Sequence, residues 1–249
     1  MYLSRLHLDP GAGATPQTDR LLRSPYLLHQ AVFAAFDPRE RGQGGVLYRR
    51  EPELREGRVV ILVQSRLAPD WQRGFARSLA AGEPPEVRPL SLRRRRGQWF
   101  RFRLRANPTR RTREGKRRSI LSGLGQGEHR DPPYYNAVLA QLAAGEEPNP
   151  PPARIREYVL DRWLRRQLHG AVADLEFQIT DEDLLEDDKP GNIASGSDPR
   201  PAHQLQFKSV RYDGILQVAE PDRLHGRVVC GIGSGKAFGF GLLSLAPVR

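Results

Sequence analysis

The chain has 249 residues, enough for one large domain or two of ordinary size. Its 38% apolar content allows a real core, and no apolar run nears the ~20 residues of a membrane span. One cysteine, Cys230, excludes an intrachain disulfide or a cysteine zinc site, while a net charge of +11 points to a polyanionic partner.

That charge is uneven. Residues 1–120 hold 26 Lys+Arg against 11 Asp+Glu, and the remainder holds 14 against 18. A basic face therefore belongs to the first half, as expected for nucleic-acid binding. The six histidines are scattered, without HExxH, so neither a metal nor another cofactor is expected. The start, MYLSRLHLDP, alternates like a strand and lacks the apolar centre of a signal peptide, which makes the cytoplasm the expected location.

In chain order, YLSRLHLD predicts a strand. The stretch SPYLLHQAVFAAF predicts a helix, with Ser24 as N-cap, Pro25 at the first helical position, and Leu28, Val32, Phe33 and Phe36 on an apolar face. Tyr26 and His29 are three apart and therefore neighbours on its surface. Residue type alone admits two readings: polar residues that pack, or half of an active site. An imidazole titrates near neutrality and can take or donate a proton, which is what the second reading needs.

GVLYRRE and RVVILVQSR predict strands, the second continuous enough from Val59 to Val63 to be buried on both faces. WQRGFARSLAAG predicts a short helix ending at Gly82, followed by a connector with Pro84, Pro85 and Pro89. QWFRFRLRAN then alternates strictly, with Trp99, Arg101, Arg103 and Arg105 on one face and Phe100, Phe102, Leu104 and Ala106 on the other. The β-α-β-β-α-β order over residues 1–110 predicts a ferredoxin-like, RRM-like domain.

Residues 111–249 predict a second, less complete unit of the same kind. A Gly- and Pro-rich insertion covers 122–153, with at most one short helix. ARIREYVLDRWLRRQLHG predicts a helix facing the core with Ile155, Val159, Trp163 and Leu168, stopped by Gly170. AVADLEFQIT and QLQFKSVRYDGILQV predict strands separated by an acidic loop over 181–201. Its run of Asp181, Glu182, Asp183, Glu186, Asp187 and Asp188 lacks the order of a calcium loop and reads as solvated. DRLHGRVVCGIG predicts a helix entering a glycine loop, and GLLSLAPV a last strand. The fold class is thus α+β, two tandem ferredoxin-like domains.

Two motifs carry charge. Residues 93–118 hold thirteen basic side chains and one acid, Glu114. Arg101, Arg103 and Arg105 would stand about 7 Å apart along one strand face, close to the spacing of phosphates along a nucleic-acid strand. Arg110, Arg111, Lys116, Arg117 and Arg118 would continue the track, and Trp99 could stack on a base. In the second motif, GIGSGKAFGFGLLSLAP, Cys230 and Ala237 occupy positions where a Walker A loop needs Gly and Ser/Thr. Two readings remain: a loop whose backbone and Lys236 approach a phosphate backbone, or a tight loop needed for packing.

MYLSRLHLD, SPYLLHQAVFAAF, RFRLRANPTR, GKRR and GIGSGKAFGFGLLSLAP occur in one order. In this the chain resembles the CRISPR-associated endoribonucleases of the CasE type, the repeat-processing subunits of the type I-E Cascade complex. The resemblance implies two ferredoxin-like domains that bind the stem-loop of CRISPR repeat RNA. It implies metal-independent cutting at the 3′ base of the stem, leaving a 2′,3′-cyclic phosphate and a 5′-hydroxyl. The processed guide RNA is then retained beside other Cascade subunits, with no membrane involved. Tyr26 and His29 match the family's catalytic pair, His29 as acid/base and Tyr26 orienting or polarising the reacting group. The basic strand and loop would hold the stem, with Lys236 close to the RNA. Arg23 is near enough in sequence to stabilise the charged intermediate, and Lys116 and Lys236 are lysine candidates by position. The alternative is a non-catalytic RNA-binding subunit that retains the guide.

Overall fold

The protein is described from a computed structural model, which covers residues 1–8, 16–37, 45–51, 59–79, 84–91, 93–112, 115–121, 140–141, 144–145, 155–189 and 203–248. Strand β1 (Tyr2–Leu8) leads into two successive helices, α1 (Pro16–Arg23) and α2 (Pro25–Ala34). They are separated at Ser24, whose extended backbone (φ −106°, ψ 109°) precedes a proline that cannot continue a helical ladder. Strands β2 (Leu47–Arg50) and β3 (Val59–Ser65), helix α3 (Trp71–Leu79) and strand β4 (Glu86–Pro89) complete the first unit.

Its antiparallel sheet has the order β2-β3-β1-β4, with Ser4 opposite Val63 and Leu6 opposite Ile61. Leu6, Leu8, Ile61 and Val63 pack against Leu28 and Val32 of α2 and Phe75 of α3. Period-2 alternation turns Val60 and Gln64 to the opposite face, where Gln64 Nε2 donates to the Val228 carbonyl at 2.8 Å. The apolar run of β3 is therefore buried on both faces because a second unit covers the side that the helices leave open.

That second unit is also β-α-β-β-α-β. Its elements are β5 (Trp99–Ala106), α4 (Ile155–Leu168), β8 (Val172–Lys189), β9 (His203–Val218), α5 (Pro221–Cys230) and β10 (Leu243–Pro247), with a small hairpin of β6 (Thr109–Arg111) and β7 (Arg117–Ser119) after β5. The sheet order is β10-β5-β9-β8. Phe100, Phe102 and Leu104 of β5 pack with Val159, Trp163 and Leu168 of α4 and Leu224 and Val228 of α5. Both units thus have the ferredoxin-like strand order, the outer strands being second and fourth in sequence.

Two expectations change. The strand at 99–106 does not complete the first sheet; β4 does, and β5 is the first strand of the second sheet. A division at 110/111 would cut that sheet, whereas the two sheets separate between residues 90 and 98. All four residues of β4 are exposed and show no apolar alternation, so the strand has no hydrophobic signature in the sequence. The acidic segment, expected to loop from 181, is strand as far as Lys189, which pairs with His203. Ladder bonds join backbone groups, so an acidic stretch pairs wherever a partner strand lies beside it. Residues 190–202, most of the insertion at 122–153, and Gly82 lie outside the described residues. No helix among the described residues is long and apolar enough to cross a membrane.

Candidate functional site

The start of α2 is built as its sequence requires. Ser24 Oγ accepts from the Leu27 amide at 3.1 Å, and Pro25 occupies the first turn. Leu28, Ala31 and Val32 bury one face of the helix. That leaves Tyr26 and His29 half-buried. Gln30 Nε2 donates to the Tyr26 hydroxyl at 3.2 Å. The His29 ring lies 4.4 Å from the Phe33 ring, one turn on, and 5.6 Å from the Phe238 ring (centroid distances). Phe238 belongs to the glycine motif near the C-terminal end, so tertiary structure brings the two sequence motifs into contact.

The glycine loop continues from α5 and contains one 3-10 turn, Lys236–Phe238, between Gly235 and Gly239 in left-handed conformation (φ 72° and 83°). Packing as well as φ demands glycine there. A Cβ on Gly235 would sit 2.9 Å from the Phe240 ring, and one on Gly239 3.2 Å from the Tyr48 ring. The Tyr48 hydroxyl donates to the Ala237 carbonyl at 2.9 Å, and burial pushes this phenol above its ordinary range. At its other end the loop roots the β6–β7 hairpin. Ser234 Oγ accepts from Asn107 Nδ2 (3.2 Å) and Thr109 Oγ1 (3.1 Å) and donates to the Asn107 carbonyl (3.1 Å). One loop therefore touches both the His29 ring and the base of the basic hairpin.

The basic residues divide into two groups. On β5, Arg103 pairs with Glu51 at 3.0 Å and with Asp213, and Arg105 Nε donates to Ser209 Oγ at 2.9 Å while its guanidinium lies 5.1 Å above the Phe240 ring. Arg101 is exposed and, with Arg103, Asp213 and Ser244, lines a cavity of about 490 Å³. Arg103 thus bridges the two units, Arg105 is held within the second, and Arg101 has its side chain in the open cavity. Trp99 lies at the opposite end of β5 from the hairpin. On the hairpin, Arg111, Lys116, Arg117 and Arg118 are exposed and Arg110 is half-buried. Register sets Arg110 opposite Arg118 and Arg111 opposite Arg117.

Arg23 is exposed and held by Asp19 at 2.8 Å. Lys236 Nζ donates to the Cys230 carbonyl at 2.7 Å, at the negative end of α5. Tyr48, Phe207 and Phe238 border the site and carry no motif signal beyond Phe238's place among the glycines. Among the described residues, no group of three His, Cys, Asp or Glu side chains could hold a metal ion.

Residues 1–247 match the family described as CRISPR associated protein. The CRISPR-associated endoribonuclease Cse3 of Thermus thermophilus is 30% identical over 259 residues, covering 99% of this chain and 100% of that protein. A solved structure of CRISPR endoribonuclease Cse3 bound to 19-nucleotide RNA aligns with a TM-score of 0.68 at 30% identity, over 99% of this chain and 100% of the other. Cas6e from Escherichia coli K-12 aligns over 100% of both chains with a TM-score of 0.55 at 21% identity, a likeness of fold.

Proposed function

Because the chain belongs to the CRISPR-associated protein family, we propose that it is an endoribonuclease that binds the stem-loop of CRISPR repeat RNA and cuts at the 3′ base of the stem. The observation that carries this reading is the junction at the glycine loop, which touches an imidazole at one end and roots a basic hairpin at the other.

In the proposed reaction the 2′-hydroxyl attacks the adjacent phosphorus while the bond to the 5′-oxygen breaks. A 2′,3′-cyclic phosphate and a 5′-hydroxyl result, and the nucleophile is the RNA's own, so no metal ion is needed to generate it. A proton must leave the 2′-oxygen and another must reach the departing 5′-oxygen. His29 is the acid/base group, and Tyr26 orients or polarises the reacting hydroxyl or phosphate through its phenol. Arg110, Arg111, Lys116, Arg117 and Arg118 grip stem phosphates; Arg101, Arg23 and Lys236 add positive potential nearby. Arg103 ties the two units together through Glu51 and Asp213, and Arg105 is held within the second unit by Ser209 and Phe240. The cut guide RNA stays bound, which suits a cytoplasmic Cascade assembly with other subunits.

The test is cleavage of a CRISPR repeat RNA in EDTA. Wild type should cut, and His29→Ala should bind the RNA but lose roughly 10²–10⁴-fold in rate, the usual contribution of a positioned acid/base. A 2′-deoxy nucleotide before the scissile phosphate should abolish cutting. Wild type that binds without cutting would make the protein a guide-retaining subunit instead, and undiminished cutting by His29→Ala would remove His29 from the chemistry.

A further inference from the structure

We propose that Phe238 is a positioning residue for the His29 imidazole, and that Tyr48 holds it in place through the turn that carries it. This rests on His29 being the acid/base group. A histidine at a half-buried helix surface rotates about two side-chain bonds, and proton transfer tolerates little misplacement: an error of about 1 Å can cost about 10²-fold. Phe33 lies on the same helix and limits that rotation only locally. Phe238 comes from the second unit, its ring tilted by 41° to the imidazole at 5.6 Å.

Phe238 is itself braced. Its ring lies 5.0 Å from Phe207, which lies 5.4 Å from Phe240, and Phe240 is fully buried beneath the Arg105 guanidinium. A row of rings thus runs from the Arg105 guanidinium to His29. The backbone under Phe238 is held as well. Its amide donates to the Gly235 carbonyl at 2.8 Å, and the carbonyl of the preceding Ala237 accepts from Tyr48, a side chain only 1% exposed. Tyr48 stands on edge strand β2 among the residues that pack against α2. The phenol therefore ties the turn to the same core that fixes the helix bearing His29.

Single-turnover cleavage of a CRISPR repeat RNA at saturating enzyme, with affinity measured in parallel, tests this. Phe238→Leu should slow cleavage about 10–100-fold with affinity within about 2-fold, the signature of lost positioning rather than lost binding. Phe238→Tyr, which keeps the ring, should recover to within about 3-fold of wild type. Tyr48→Phe removes one oxygen at constant core volume and should slow cleavage about 3–10-fold; it serves where Phe238→Leu does not fold. Unchanged cleavage by Phe238→Leu, a loss of affinity matching the loss of rate, or no recovery with Phe238→Tyr overturns the proposal. If Phe238→Leu does not fold, unchanged cleavage by Tyr48→Phe overturns it. His29→Ala in the same series separates the two readings. An inactive His29→Ala beside an unaffected Phe238→Leu overturns the positioning alone, whereas a fully active His29→Ala overturns both.

Discussion

Arg110 stands directly across a two-stranded ribbon from Arg118, and the next pair, Arg111 and Arg117, repeats the arrangement. Like charges facing each other across a ribbon oppose its formation. This hairpin is held instead at its base, by Ser234 and by Trp163 Nε1, which donates to the Thr109 carbonyl at 3.3 Å. Such an arrangement gains its balancing charge when a polyanion arrives.

Arg118→Ala should therefore have opposite effects on the free protein and on the complex. Without RNA, unfolding in denaturant should show the variant more stable by a few tenths to about 1 kcal/mol. With RNA, its affinity should fall, and the slope of log K against log salt should shrink by about 0.7–0.9, the share of one phosphate contact. Arg103→Ala is the control: its guanidinium is already taken by Glu51 and Asp213, so its salt slope should match wild type.

The seam between the sheets depends on a buried cation. Arg49 is 3% exposed, pairs with Glu51, and donates to the carbonyls of Arg103 (3.0 Å) and Leu242 (3.1 Å) and to Ser244 Oγ (3.0 Å). Burial lowers its pKa, and Glu51 works against that shift. Glu51→Ala strands this charge and should cost about 3–5 kcal/mol in urea unfolding. Arg49→Met combined with Glu51→Leu should be markedly less destabilised than Glu51→Ala, because it removes both charges together.

Tyr48 predicts an alkaline limit. Burial raises its phenol well above the ordinary value of 10.0 and outweighs Arg105, which pulls the other way. Above about pH 10 the unfolded chain has released this proton and the native state retains it, so the unfolded state binds fewer protons and stability falls as pH rises. The contribution is fully present below pH 10 and declines by about 1.4 kcal/mol per pH unit above it. Tyr48→Phe should flatten the stability profile above pH 10 by that amount; an unchanged slope would show that Tyr48 does not titrate between the two states.

Much was legible along the chain. Ser24 and Pro25 marked the start of α2, the alternation of β5 marked its apolar face, and Val159, Trp163 and Leu168 marked the buried side of α4. Gly170, with φ of 71°, ends that stretch as its position suggested. Helix α1 (PQTDRLLR) has only Leu21 and Leu22 as apolar residues, too few to show a helical apolar face in the sequence. β4 carries no sequence signal, because an exposed edge strand has no apolar face.

The arginines of β5 show the limit most clearly. Their spacing along one face was correct, since a strand's period is local. Their chemistry was not local, because Glu51, Asp213 and Ser209 reach them from distant segments. The same holds for the strand itself, whose pattern is satisfied equally by either sheet until β9 and β10 pair with it.

Caps, periodicities and the run of positive charge are interactions between residues a few positions apart, so they can be read directly from residue order. They established two α+β units, a helix presenting Tyr26 and His29, and a basic, glycine-bearing chain. Which strand closes which sheet, which arginines are neutralised, and that Phe238 meets His29 depend on contacts between distant segments. Those contacts are selected by the burial and hydrogen bonding of the whole molecule, and only the folded chain decides them.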